Sequence, residues 1–167
     1  MSKNLDLNAE IVAGESAAGF YIGMNLREID HLLKEAETIE YYQGFNLVEK
    51  IHSTKGYFVL KHITGDKGSS VYYGNGLLHL EFNNSSELFC IYVYRGYLGS
   101  YKNIMVGDSL NELRAKEALQ YDEGDDMYYR LDQEKYVPGL AIIALGDENN
   151  DDPIEGFCVH NWSMQNA

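Results

Sequence analysis

Residues 20–33 read FYIGMNLREIDHLL, and the way this stretch divides decides the fold. Phe20, Tyr21 and Ile22 suit a short apolar strand, Gly23 stops it, and Asn25 can cap a helix in which Glu28 completes a capping box. The same order returns 84 residues later, where Ile104, Met105 and Val106 are followed by Gly107, Asp108, Ser109, Leu110, Asn111, Glu112 and Leu113. Two halves, about 10–95 and 104–162, thus open alike, which predicts a tandem structural repeat.

Outward from that stretch, helix one runs from Leu26 to about Ala36, with Leu26, Ile29, Leu32 and Leu33 as its apolar stripe and Thr38, Ile39, Tyr41 and Tyr42 prolonging it to Gly44. Ile11 and Val12 form a short edge strand. Beyond Gly44 the period becomes that of strands. Phe45 to Ile51 and Gly56 to Ile63 are expected to be joined by a tight turn at Ser53–Gly56, followed by Val71–Tyr73, Leu77–Phe82 and Leu88–Tyr94. Short connections make this an antiparallel meander, because a parallel pair needs a crossover of about a dozen residues. Helix two is expected from Leu110 to about Leu119, then strands at Met127–Leu131, Leu140–Leu145 and Gly156–His160. The sum is an α+β fold: a single domain over residues 1–167, predominantly antiparallel β-sheet, with two main helices on one face.

Length and charge narrow the function. A chain of 167 residues can bury about 70% of its extended surface, so its core needs no staple. Cys90 and Cys158 lie in apolar runs and read as buried free thiols. The first ten residues carry no apolar run of signal-peptide length and no segment approaches the ~20 apolar residues of a membrane span, so a cytoplasmic protein is expected. With 26 acids against 13 bases the net charge is −13, which disfavours nucleic acid and anionic membrane as partners. The excess is concentrated: residues 104–167 hold fourteen acids and four bases, densest at Asp122, Glu123, Asp125 and Asp126 and again at Asp147, Glu148, Asp151 and Asp152.

Catalytic patterns are sparse. Gly14, Glu15, Ser16, Ala17 and Ala18 approach a nucleophile elbow, but Ala18 stands where the second glycine is needed. The five histidines are scattered singly, without zinc-ligand spacing, although His62 and His79 can face each other across strands. Asp147, Asn149 and Asp151 alternate like the start of a calcium loop, yet Asp152 replaces its glycine and Cys158 its closing glutamate. No enzyme, cofactor or metal site is therefore expected. What is abundant is tyrosine, fourteen in all, often in adjacent or alternating pairs such as Tyr128 and Tyr129. One of two adjacent strand tyrosines points away from the core, and tyrosine beside carboxylate suits the capture of a basic protein.

The stretch Gly19 to Ile29, GFYIGMNLREI, resembles an opening seen in small bacterial immunity proteins, notably those of contact-dependent growth inhibition systems. It is also similar to the helix-opening segment of tandem-repeat inhibitors such as the β-lactamase-inhibitory protein and of small outer-membrane assembly lipoproteins. The first resemblance implies an acidic cytoplasmic protein that covers the active site of a delivered toxin domain, often a basic nuclease, and does no chemistry itself. On that expectation, charge and aromatic clustering nominate Asp122, Glu123, Asp125, Asp126, Asp147, Asp151 and Asp152 as steering or pairing charges, with Tyr128 and Tyr129 as anchors. A free sheet edge at Leu77–Phe82 or Leu88–Tyr94 would offer a second contact mode. Two alternatives stay open: a small-ligand binding or regulatory domain with a tyrosine-lined pocket, and an enzyme using Asp or Glu with His79 or His160.

Overall fold

The computed structural model describes residues 4–40, 44–62, 68–145 and 151–167. Its strands, in chain order, are β1 (Ser16–Ala17), β2 (Phe20–Tyr21), β3 (Glu37–Glu40), β4 (Tyr57–Lys61), β5 (Ser69–Tyr73), β6 (Leu78–Phe82) and β7 (Leu88–Tyr94). These are followed by β8 (Ser100–Tyr101), β9 (Ile104–Met105), β10 (Ala118–Asp122), β11 (Met127–Asp132), β12 (Lys135–Ile143) and β13 (Gly156–His160). Two α-helices, α1 (Leu47–Ser53) and α2 (Leu110–Arg114), and 3-10 turns at Leu26–Ile29 and Trp162–Met164 complete the described elements.

Each half opens with a hairpin and a capped helical segment. β1 pairs antiparallel with β2, and β8 with β9. Asn25 accepts a hydrogen bond from the Arg27 amide and donates one from its own amide to the Glu28 carboxylate, the capping box expected; Ser109 caps α2 by accepting from the Asn111 amide. Gly23 and Gly107 have φ of +88° and +97°, a left-handed conformation that favours glycine. Their amides donate to Leu88 O (2.7 Å) and Ile154 O (2.8 Å), and the following Leu26 and Leu110 amides donate to Ser86 O (2.9 Å) and Asp152 O (3.0 Å). The first opening is thereby tied to the start of β7 and the turn before it, and the second to the segment just before β13.

The first helix is shorter than the sequence predicts. Only Leu26–Ile29 is helical, as a 3-10 turn, and the chain continues in bonds such as Leu32 N to Ile29 O (2.8 Å) and Ala36 N to Leu33 O (3.0 Å). Leu26, Ile29 and Leu32 recur every third residue, which suits 3-10 winding as well as an α-stripe. Ile29 is buried, and Leu26, Leu32 and Leu33 pack half-buried against the same core.

Two neighbouring segments exchange the structures that the sequence predicts for them. Thr38 and Ile39 lie in a strand, whereas the expected strand Phe45–Ile51 holds helix α1. Asn46 caps α1 by accepting from the Glu49 amide (3.2 Å), and Leu47 and Ile51, four apart, pack with Phe45 on Ile39, Phe58, Leu60 and Tyr72. α1 sits in the crossover between β3 and β4, which pair in parallel, so the sheet is mixed at this edge and the turn at Ser53–Gly56 joins a helix to a strand. Tyr41, Tyr42 and Ile63 lie outside the described residues.

One nine-stranded sheet runs through both halves in the order β10-β11-β12-β13-β7-β6-β5-β4-β3, with the halves joined at β13–β7. Strands β6 and β7 are interior, so neither Leu77–Phe82 nor Leu88–Tyr94 is a free edge; the edges are β3 and β10. Strand β10 begins at Ala118, where helix two was expected to continue, because α2 ends at Arg114. Strand β12 starts earlier than predicted, and the register shift opposite Tyr129 and Arg130 accommodates Pro138 and Gly139. Strand alternation gives the sheet two unlike faces. On the first, Leu78, Leu80, Ile91, Val93, Leu140, Ile142, Phe157 and Val159 are buried under Ile11, Phe20, Met24, Ile29, Tyr97, Leu110 and Leu113. Both capped helical segments therefore pack on this face, while α1 packs on the other.

Candidate functional site

The second face carries the polar chemistry. Strand pairing sets Phe58, Tyr72, His79 and Tyr92 side by side across β4 to β7. Their rings stack with centroid separations of 4.8, 4.2 and 5.1 Å. At one end α1 packs on this row; at the other the Trp162–Met164 turn packs on Phe89, Cys90, Tyr129, Ala141 and Cys158. Between them His79, Glu81, Tyr92 and Tyr94 remain half-buried.

Glu81 is the anion of this middle zone. It accepts from the Ser70 hydroxyl (2.8 Å) and pairs with His79, while His62 Nε2 lies 2.8 Å from Ser70 Oγ. His62 and His79 thus meet through Ser70 and Glu81. Burial opposes ionisation of Glu81, but the bonds from His79 and Ser70 outweigh it and hold its carboxyl below the usual range. Burial raises the Tyr72 hydroxyl to about 12 and raises Tyr92 and Tyr94 as well, so these hydroxyls stay protonated donors at neutral pH. Cys90 and Cys158 are buried free thiols 3.1 Å apart. Burial, and then the hydrogen bond with Cys158, push the Cys90 thiol up, the opposite of what a nucleophile requires.

The acidic turn between β10 and β11 borders the far end of this face. Asp122 Oδ1 accepts from the amides of Gly124 (2.8 Å) and Asp125 (3.0 Å), an Asx-type closure of the turn. Asp125 Oδ2 accepts from the Tyr129 hydroxyl (2.6 Å), and Asp126 accepts from Tyr121. Glu123 is exposed. Asp122 and Asp125 line a cleft of about 410 Å³ with Tyr129, Tyr136, Val137, Pro138, His160 and Trp162. Of the anchors expected from sequence, Tyr129 lines this cleft. Tyr128 does not: it is 1% exposed in the core of the first face, donates to Leu145 O (3.0 Å) and lies beneath the Arg114 guanidinium.

The other acidic patch has a local structural role. Asp151 accepts from the Ser109 hydroxyl and from the Asn111 amide (3.3 Å), which reinforces the N-terminus of α2, and the Asp152 carbonyl accepts the Leu110 amide. By register, the β10–β11 turn and the segment after β12 leave the sheet at the same end, but Asp151 and Asp152 are not in the cleft. Asp147 and Glu148 lie outside the described residues. Replacing Ser109 with Ala is expected to lower stability by about 1 kcal/mol in urea denaturation, the ordinary worth of a helix cap, without altering any affinity carried by the Asp122–Asp126 turn.

The sequence alone does not group Tyr136, His160 and Trp162, and His160 stands out there only as a candidate acid–base partner. His160 and Trp162 are two apart at a strand end, a spacing that puts both on one face, and that was the available signal. Among the described residues no group of three or more His, Cys, Asp or Glu is placed to hold a metal ion, and no helix is long and apolar enough to cross a membrane. No protein-family model, curated protein or solved structure matches this chain.

Proposed function

We propose that this chain is a binding protein without chemistry of its own, which neutralises a cationic toxin domain in the bacterial cytoplasm as an immunity protein does, a nuclease being the toxin class favoured. The observation that carries this reading is the junction of the acidic turn with the part-open aromatic face: Asp122 and Asp125 share a cleft with Tyr129, Tyr136 and Trp162. Exposed acids beside it steer a basic partner, and rigid aromatic rings supply contact area at low entropy cost. The recurrence of hairpin, glycine and capped helix in both halves, with matching ties to β7 and to the segment before β13, supports two copies of one unit fused into a single domain through β13–β7.

The test is co-expression with a basic nuclease domain taken from a neighbouring reading frame. Growth rescued only when both are present, with a stable complex on purification, is the expected result. Unrelieved toxicity without a complex removes the reading. Reversing Asp122, Glu123, Asp125 and Asp126 to Lys should slow association at least about tenfold and flatten its salt dependence, measured by stopped flow. Unchanged association and salt slope would make that turn a solvated loop only.

A second reading has its own observation. A cleft of about 500 Å³ lined by Ile51, Tyr72, Leu77, His79 and Tyr94 lies next to α1, within the size range of small-molecule sites. A co-purified small molecule seated on Tyr72 and Tyr94, with no toxin complex, would favour it.

A further inference from the structure

The cleft at the end of the second face is built from four rings supplied by three adjacent strands and the terminal turn. Tyr129 stands edge-on to Tyr136 (5.7 Å, 70°) and to His160 (6.1 Å, 79°), while His160 and Trp162 lie nearly parallel at 4.4 Å and 17°. Two carboxylates face this space. Asp122 uses Oδ1 to close its turn and Asp125 uses Oδ2 for Tyr129; the second oxygen of each takes no hydrogen bond among the described residues.

His160 is the unusual member. It is 2% exposed, yet neither ring nitrogen has a hydrogen-bond partner. Buried polar groups are nearly always paired, and leaving one unpaired is costly. A ligand that donates a hydrogen bond into the cleft removes that cost. Burial, and then the neighbouring Arg130 charge, lower the ring's pKa to about 4, so the imidazole is neutral and keeps an acceptor nitrogen.

The required ligand is flat enough to stack on tryptophan and tyrosine, positively charged, and rich in in-plane donors. An ammonium is a compact point charge that meets the carboxylates but neither stacks nor forks. A guanidinium meets every requirement, since it stacks on aromatic faces and presents five donors in one plane. We infer that this cleft receives an arginine side chain projecting from the cationic partner, an assignment that rests on the binding function proposed above.

Trp162 is the only tryptophan, so its fluorescence reports the cleft directly. The full chain is titrated at low ionic strength with N-acetyl-arginine amide, with the lysine and citrulline amides as comparisons. A saturable response to the arginine amide with a dissociation constant of about a millimolar is expected, about threefold or more weaker for lysine and about tenfold or more weaker for neutral citrulline. Asp122→Asn with Asp125→Asn should weaken it about fivefold. Tyr136→Ala, at a position 52% exposed and so safe for folding, should weaken it about threefold. A non-saturating response, or equal constants for arginine and citrulline, overturns the assignment. The two readings separate cleanly. A saturable arginine response without a toxin complex keeps the cleft and removes the immunity function. A toxin complex indifferent to Tyr136→Ala, with a flat Trp162 signal, does the reverse.

Discussion

Phe157→Ala is expected to lower the unfolding free energy by about 3–5 kcal/mol, the usual cost of truncating a buried aromatic ring. Phe157 is fully buried on β13, paired with Val93 of β7 on one side and Ile142 of β12 on the other. Its ring also lies 6.4 Å from that of Tyr101. The side chain therefore fills the core where the two halves join, and the cavity left by alanine falls on the strand pair that, among the described residues, links them within the long sheet. The melting temperature should drop by roughly 10 °C for a chain of this size. Val48→Ala, on α1 and 64% exposed, is the matching control and should stay within about 0.5 kcal/mol. Calorimetry and urea denaturation should each show one transition for both proteins. Two separate transitions in the Phe157→Ala variant would mean that the halves fold independently, against the single domain proposed.

The strands that make this seam were legible, and the reason is composition. Leu88–Tyr94 and Gly156–His160 are continuous apolar or aromatic runs bounded by turn residues, and β7 and β13 occupy those residues. The run from Phe45 to Ile51 was not, because four apolar residues in seven satisfy either period; Asn46 as a cap tips it to helix, and the resulting crossover allows the parallel β3–β4 pair. Leu26, Ile29 and Leu32 misled for a related reason, since a three-residue spacing does not separate an α-helix from successive 3-10 turns.

The cleft divides the same way. Asp122, Asp125 and Tyr129 stood out because charge density and adjacent tyrosines are local properties. Tyr136 and His160 reach Tyr129 only through the pairing of β11 with β12 and of β12 with β13, and Trp162 only because the chain turns back after His160. Conversely, Tyr128 and Asp151 had the right composition but the wrong surroundings. Strand parity turns Tyr128 into the core, and Asp151 is engaged at the start of α2. Charge clustering locates candidate carboxylates, while register decides which of them share a site.

Lowering the pH from 7 to 4 is expected to remove about 3 kcal/mol of stability through His160 alone. The ring is buried beside the Arg130 charge, which it feels more than the opposing charge of Asp125, and its pKa falls from the ordinary 6.5 to about 4. An unfolded chain takes up this proton near pH 6.5, whereas the folded chain takes it up only near pH 4. Protonation therefore favours unfolding within that window. The stabilisation is nearly complete above about pH 6.5, falls steadily towards pH 4, and levels off below it. Glu81 adds a separate loss at lower pH, because its folded carboxyl also titrates below the ordinary value. His160→Phe keeps an aromatic ring for Trp162 to stack on and removes the proton site. Urea denaturation of both proteins at pH 7, 6, 5 and 4.5 isolates the effect: the difference in unfolding free energy between wild type and variant should shift in the variant's favour by about 2–3 kcal/mol across the series. Parallel pH profiles would mean that the ring titrates alike in the folded and unfolded chains. A guanidinium in the cleft adds a second positive charge beside the ring, so saturating N-acetyl-arginine amide should leave the onset near pH 6.5, which the unfolded chain sets, and carry the loss on to pH values below 4 in wild type, with no such extension in His160→Phe.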